Sequence, residues 1–380
     1  MRSEANKASI CVKAAGTAWL KLGVAVCGLA VCLSAAAQTI ITFDPPGSIR
    51  TEPHGINNSG VITGVYVDAT HHGHGFVRAA DGTLTTIDIP GEGPGNQSWS
   101  INPSGEIAGQ YRVPGLYFRG YLRAPDGSLT TFDAPGAGTG VGQGTQALDI
   151  NPAGVAAGQY SDDNTTYHGF VRASNGTITT FDAPDAGTGT GQGTVLTSVD
   201  GINPEGAISG AYVNSGSTLD GTQVYHGFVR DRDGNITEFD VPGAGTGPGQ
   251  GTNVAGINPA GTSEGWSVDA SGVAHGFVRA ADGAITTFDV PGAGTGSGQG
   301  AFPANINPAG GLTGNYVDAG NVSHGFLRTK QGAITTFDVP GAGTGPGQGT
   351  FPYCNNPAGA ITGYYFDGSG VEHGFLRTAQ

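Results

Sequence analysis

What this sequence has little of sets the first limits. Of its four cysteines, Cys11, Cys27 and Cys32 fall within the first 37 residues, so Cys354 stands alone in the remainder. A framework of intrachain disulfides is therefore excluded there. Charged residues make up only 12% of the chain, with 16 Lys and Arg against 30 Asp and Glu. So few basic residues argue against nucleic acid and anionic membrane surfaces as partners, because both reward Lys and Arg. Long apolar runs are missing as well. The longest, Leu22 to Leu33, covers about twelve residues, whereas a helix needs roughly 20 to span a bilayer.

That short run sits in a recognisable setting. Arg2, Lys7, Lys13 and Lys21 precede it, and Ala35-Ala36-Ala37 follows it. A basic start, a short apolar core and an A-x-A site predict a secretory signal peptide over residues 1–37, cleaved near Ala37-Gln38. A retained membrane anchor is the weaker reading. Cys32 does not suit lipidation, because Val31 before it is bulkier than such a site prefers. Without residues 1–37 the chain keeps 12 basic and 29 acidic residues, a net charge of −17. The expectation is a secreted, periplasmic or cell-surface monomer with no integral membrane segment. No motif calls for a cofactor, although a divalent cation would suit the acidic balance.

Glycine (70) and proline (22) are abundant, about a quarter of the chain. Without a period that composition would suggest disorder. Here a period exists. His-Gly recurs at His74, His168, His226, His275, His324 and His373, with Arg119-Gly120 in the second slot, at spacings of 45, 49, 58, 49, 49 and 49 residues. Each copy reads as four short strands, here called a to d. Strand a runs into an Asn-Pro-x-Gly turn, as at Asn307 to Gly310, where Pro fixes φ and Gly permits positive φ. Strand b follows, as Leu312 to Val317, and strand c is His324 to Arg328. Asp-Gly or Asn-Gly turns such as Asp81-Gly82 then lead to strand d, rich in Ile, Thr and Phe.

A four-strand meander repeating every 45–58 residues predicts an all-β propeller. Residues 38–380 open with a strand d, Ile40 to Asp44, and end after a strand c, His373 to Arg377. Strands balance only if the first completes the last blade. The prediction is a seven-bladed β-propeller of four-stranded antiparallel blades, closed in this way, with another blade count or a solenoid as the alternatives.

These residues resemble a family. The pattern I-N-x-x-G-x-x-x-G-x-Y followed by H-G-F-[VL]-R is similar to the HAF-type extracellular repeat of bacterial secreted proteins, over essentially all of residues 40–380. The family's His-Ala-Phe reads His-Gly-Phe here. The resemblance implies secretion and a propeller-like fold, and it brings no catalytic residue with it.

Columns repeated in every copy report what every blade needs, so they read as structural. The arginine column (Arg78 and its equivalents to Arg377) belongs on an inter-blade surface. A two-residue Asp81-Gly82 turn would set Arg78 opposite Thr85 and Asp88 opposite Gly75, on opposite faces, excluding a direct Arg–Asp pair within a blade. The strand-b glycines, Gly64 to Gly363, imply a bulge or close approach, the candidate being a Phe ring from the adjacent blade. The histidines stand too far out from the channel to converge on a metal. The loop Gly136 to Thr145 lacks the Lys and following helix of a phosphate loop, and reads as flexible cover or a repeated contact surface.

Departures from the repeat are the better guide to function. The first two d–a loops are short and carry Arg50, Glu52, Glu92 and Trp99, with His54 beside them. Nearby b–c loops add Arg112, Tyr117 and Arg119. These residues form a candidate ligand-binding notch in blades 1 and 2. Asp68, His71, His72 and His74 have ligand types suited to a divalent transition metal, on weak spacing. The insertion Ser215 to Val224 is a third asymmetry. With no convergent catalytic set legible, the expectation is a non-enzymatic module binding an extracellular glycan, protein or cell-surface ligand. The alternative is an extracellular hydrolase or lyase in the same notch, using Glu52, His54, Glu92 or His71.

Overall fold

In the computed structural model, which describes residues 38–196, 201–214 and 223–378, all regular structure is β-strand. The expected leader and most of the 215–224 insertion lie outside the described residues. No helix among the described residues is long and apolar enough to cross a membrane. Strands follow the a-to-d order of the repeat. In the first group Ser48–Ile56, Ile62–Asp68, Gly73–Arg78 and Leu84–Ile87 pair antiparallel in sequence. Later copies repeat the meander, and the architecture is propeller-like. The strand Ile40–Phe43 lies antiparallel to Glu372–Arg377, with Ile40 opposite Arg377 and Phe43 opposite Gly374. Outer strands d are only four residues long, as at Ile285–Phe288, which limits the edge offered to other chains.

Local chemistry explains the turns. At the a–b turn, Asn57 Oδ1 accepts hydrogen bonds from the N–H groups of Ser59 and Val61, both at 3.0 Å. Gly60 takes the left-handed conformation that closes the turn, at φ 79°. The same asparagines also reach sideways. Asn57 Nδ2 donates to Asn102 O at 3.4 Å, Asn102 Nδ2 to Asn151 O at 3.2 Å, and Asn356 Nδ2 to Asn57 O at 3.0 Å. One side chain thus caps its own turn and ties its group to the next.

The c–d turn corrects the expected register. Ala79 N–H donates to Thr83 O at 2.8 Å and Gly82 N–H to Ala79 O at 2.9 Å. Three residues, Ala80 to Gly82, therefore form the loop, with Gly82 at φ 95°. The added residue shifts every pair by one, so Arg78 faces Leu84 and Gly75 faces Ile87. His74, Phe76 and Arg78 consequently share a face with Asp88, and the opposite-face expectation fails. Asp88 pairs with the histidine instead: His74 Nδ1 lies 2.6 Å from Asp88 Oδ1. In the second copy Arg119 fills that slot and pairs with Asp133 at 3.0 Å.

That shared face is the inter-blade surface. The Arg78 guanidinium lies 4.9 Å above the Phe43 ring of the preceding strand d, and Arg279 stands likewise 4.8 Å over Phe239. Phe43 also meets Phe76 edge to face at 6.1 Å. Phe76, Phe170, Phe228, Phe277, Phe326 and Phe375 are fully buried, each worth about 1.5–3 kcal/mol of apolar burial. Each cation–π contact adds about 0.5–2 kcal/mol.

The strand-b glycines answer to both a bulge and a ring. A Cβ on Gly64 would lie 2.2 Å from Glu52 O and 2.9 Å from Phe76 Cε1. The strand-a register shifts at the same place, between Pro53 and Gly55. The ring belongs to the same group, not the adjacent one as expected, because strands b and c pair directly.

Strands a lie innermost. Ser48–Ile56 neighbours both Asn96–Ile101 and Gly349–Asn355. Single parallel bridges join strand c of one group to strand a of the next, as Phe118 to Gly144 and Glu372 to Arg50. The glycine-rich loops are pinned. Gln143 Oε1 accepts from Gly140 N–H at 2.7 Å while its Nε2 donates to Asp163 O at 3.0 Å. Gln250, Gln299 and Gln348 clip their d–a loops to the neighbouring b–c loops in the same way, so of the two expectations, flexible cover or a repeated contact surface, these built loops go against the first.

Candidate functional site

The strand-a residue that pairs with the residue after each strand-b glycine lies, with that partner, at one level of this inner surface. Going round, the pairs are Glu52 with Val65, Gln97 with Gln110, Gln146 with Gln159, Val195 with Ala211, Asn253 with Trp266, Phe302 with Asn315, and Phe351 with Tyr364. One arc is charged and amide-rich, the other aromatic. The inter-blade columns repeat while this level does not.

The charged arc holds a cavity of about 260 Å³ that brings together Arg50, Glu52, His71 and Arg112, with Gln97 and Gln110 on its wall. The two glutamines are locked to each other, Gln110 Nε2 donating to Gln97 Oε1 at 2.7 Å. Arg50 is exposed at its side chain but bonds Glu52 and donates from Nε to Glu372 Oε2 at 3.0 Å. Arg112 lies over the Phe118 ring at 4.7 Å. His71 sits at φ 63° in the tight b–c turn, its N–H donating to Asp68 O.

Other expected site residues go elsewhere. His54 is buried against Trp99, ring centroids 4.3 Å apart, and lies 5.1 Å from Tyr353. Burial lowers its pKa to about 4. It is neutral at pH 7, and its Nδ1–H donates to Ser98 O at 3.0 Å. Its 3.7 Å approach to Glu52 is therefore not an ion pair. Trp99 faces this stack, not a free notch. Glu92 turns to accept from Asn96 Nδ2 at 2.8 Å and meets His72 at 3.3 Å. Arg119 is held by Asp133, away from the cavity.

The expected metal set is only partly gathered: the His72 and His74 rings lie 4.7 Å apart, but the four side chains do not turn to one point. His74 stands between Asp88 and Asp68, at 2.6 and 3.4 Å, while His72 turns to Glu92 and His71 to the cavity. Burial opposes protonation of His74, but its hydrogen bonds to Asp88 and Asp68 outweigh burial and raise its pKa. The bracket recurs around His168, His275, His324 and His373, each flanked by two aspartates. A motif repeated this way serves the fold. Among the described residues no group of three or more His, Cys, Asp or Glu is placed to hold a metal ion.

Two features escaped sequence reading. Glu372 precedes His373, where other copies carry Gly, Phe, Tyr, Ala or Ser. It is buried, with Oε1 lacking a hydrogen-bond partner. Burial raises its pKa to about 7, against the opposing pull of Arg50. Comparing the residue before each His-Gly would have singled it out. The aromatic arc was the second, spread over strands 266 to 364 with no local motif.

No protein-family model matches this sequence, and no curated protein matches it. Solved structures do. Virginiamycin B lyase from Staphylococcus aureus shares 15% identity at a TM-score of 0.56, covering 90% of this chain and 99% of its own. A streptogramin B lyase shares 13% identity at 0.54, over 90% and 98%. A structure from an analysis of two prolyl endopeptidases shares 11% at 0.52, over 87% of this chain and 50% of its own. At such identities the likeness is one of fold, a β-propeller.

Proposed function

We propose that this chain is a secreted, seven-bladed, ring-closed propeller that works as a binding module, holding a charged group of an extracellular glycan or protein in the cavity of Arg50, Glu52, His71 and Arg112. The supporting observation is that this cavity gathers side chains that depart from an otherwise strict repeat. Closure is supported by the pairing of Ile40–Phe43 with the last strand and by the bridge from Glu372 to Arg50. Secretion is supported by the basic, apolar and A-x-A run over residues 1–37 and by the HAF-type resemblance; N-terminal sequencing of the exported protein tests the cut near Ala37-Gln38. A printed panel of acidic glycans and peptides tests binding. Arg112→Ala should weaken any hit at least tenfold without moving Tm. A hit indifferent to both Arg112→Ala and Arg50→Gln would remove the notch from consideration.

A second reading is a hydrolase or lyase in the same notch. Glu372, with its pKa raised to about 7, and Glu52 bond the same guanidinium, an acid and a carboxylate across Arg50. Propellers similar to this chain in fold include proteins named as lyases. If a hydrolytic or eliminative activity is detected, Glu372→Gln should lower kcat at least tenfold, and an unchanged kcat would end this reading.

A further inference from the structure

The aromatic arc faces two cavities that the notch does not use. One, of about 590 Å³, runs under the loop face and is walled by Trp266, Phe302, Asn253 and Gln250. The other, of about 160 Å³, continues inward over Phe302, Phe351, Tyr353 and Tyr364. Trp266 and Phe302 line both, their rings 6.0 Å apart and edge to face. Phe351 and Tyr364 stack at 5.0 Å, nearly parallel at 9°. None of the residues lining either cavity is Lys, Arg, His, Asp or Glu. In a chain with this acidic excess, that neutrality distinguishes the arc from the notch beside it.

We infer that this arc is a subsite for a neutral oligosaccharide, with pyranose faces laid on Trp266, Phe302 and Phe351 and hydroxyl groups met by the amides of Asn253 and Asn315. The chemistry follows from what a sugar presents. Its axial C–H groups form an apolar, slightly positive face that suits the negative face of an aromatic ring. Its edge carries hydroxyls that need donors and acceptors but no formal charge, and side-chain amides supply both. A charged ligand would enter this arc without a counter-charge and lose its hydration uncompensated. The larger cavity has the volume of ordinary small-molecule sites, about 300–1,000 Å³. The rings stand on strands, so little conformational freedom is lost on contact.

The inference rests on the reading of the chain as a binding module, but it uses different residues and a ligand of different charge. The test applies the full chain to a printed panel of neutral and acidic glycans, then titrates the strongest hit by calorimetry. Neutral oligosaccharides should bind, Trp266→Ala and Phe302→Ala should each weaken them at least tenfold, and Trp266→Phe should restore most of the loss. In a Trp19→Phe, Trp99→Phe background the emission of Trp266, then the one tryptophan left, should change on titration. Arg112→Ala should leave neutral binding within twofold. If Trp266→Ala does not fold, Asn315→Ala and the Trp266 emission decide the matter. No neutral binding, or neutral binding indifferent to Phe302→Ala and silent in Trp266 emission, overturns the inference. Loss of neutral binding on Arg112→Ala alone would overturn it too and return the ligand to the notch.

Discussion

Asn356 Nδ2 donates to Asn57 O at 3.0 Å, although 299 positions separate the two residues. The same Asn356 caps its own turn, Oδ1 accepting from Ala360 N–H at 3.0 Å. It therefore holds a local turn and a long-range junction with one amide. Asn356→Ala should cost about 1–3 kcal/mol in urea unfolding, a cap and a buried bond together. The exposed neighbour Asn58→Ala should be nearly neutral. A loss at Asn356 no larger than at Asn58 would mean that the junction bond contributes nothing.

Gly64 has no room for a methyl group, since a Cβ would sit 2.2 Å from Glu52 O. Backbone on a bulge cannot swing aside as a side-chain tip can. Gly64→Ala should cost about 3 kcal/mol, while Gly368→Ala, which meets nothing within 4 Å, should stay near wild type. Comparable midpoints for the two variants would contradict the packing described.

Arg279 holds its guanidinium 4.8 Å over Phe239, and burial lowers its pKa. Its worth lies in the flat face and the stem as much as in the charge. A double-mutant cycle of Arg279→Met and Phe239→Leu should give a coupling of about 1 kcal/mol. Additive losses would show that ring and guanidinium only happen to be neighbours.

Glu372 gives a pH dependence with a definite sign. Its pKa in the folded chain, about 7, lies above the ordinary glutamate value, so between the two the folded state binds the extra proton. Stability from this group is present at acid pH and declines as pH rises through 7. Thermal melts of Glu372→Gln should show a smaller fall between pH 5 and pH 8 than wild type. An equal fall would place the titrating group elsewhere.

Most of the strand order was legible because turns announce themselves locally. Asn57 to Gly60 and Asp81-Gly82 carry their φ requirements in their own residue types. Register was less legible: whether Ala80 joins the c–d loop depends on one hydrogen bond, and a single step moved Asp88 across to His74. Arg50, Glu52, His71 and Arg112 stand out in the sequence because they break a repeat, and all four line one cavity. His54 and Trp99 break it too, yet they pack on each other, since departure from a pattern does not say which way a ring turns. Glu372 was missed because a lone glutamate between a turn and a strand looks solvated. Only its place against Arg50 buries it.

The Arg-over-Phe contact recurs from copy to copy with almost the same separation, 4.6 Å at Arg377 and 4.9 Å at Arg230. Joints this uniform make neighbouring units interchangeable in principle. A copy moved among the junctions that carry this contact would meet the same arginine and the same ring, and would bring its own inward-facing pair with it, whereas the junction of Ile87 with Arg123 offers no ring. The chain can therefore be edited by the cassette: transplanting the Asn253 and Trp266 pair, or doubling it, would redraw the inner surface without renegotiating the scaffold. A fold with bespoke interfaces offers no such freedom.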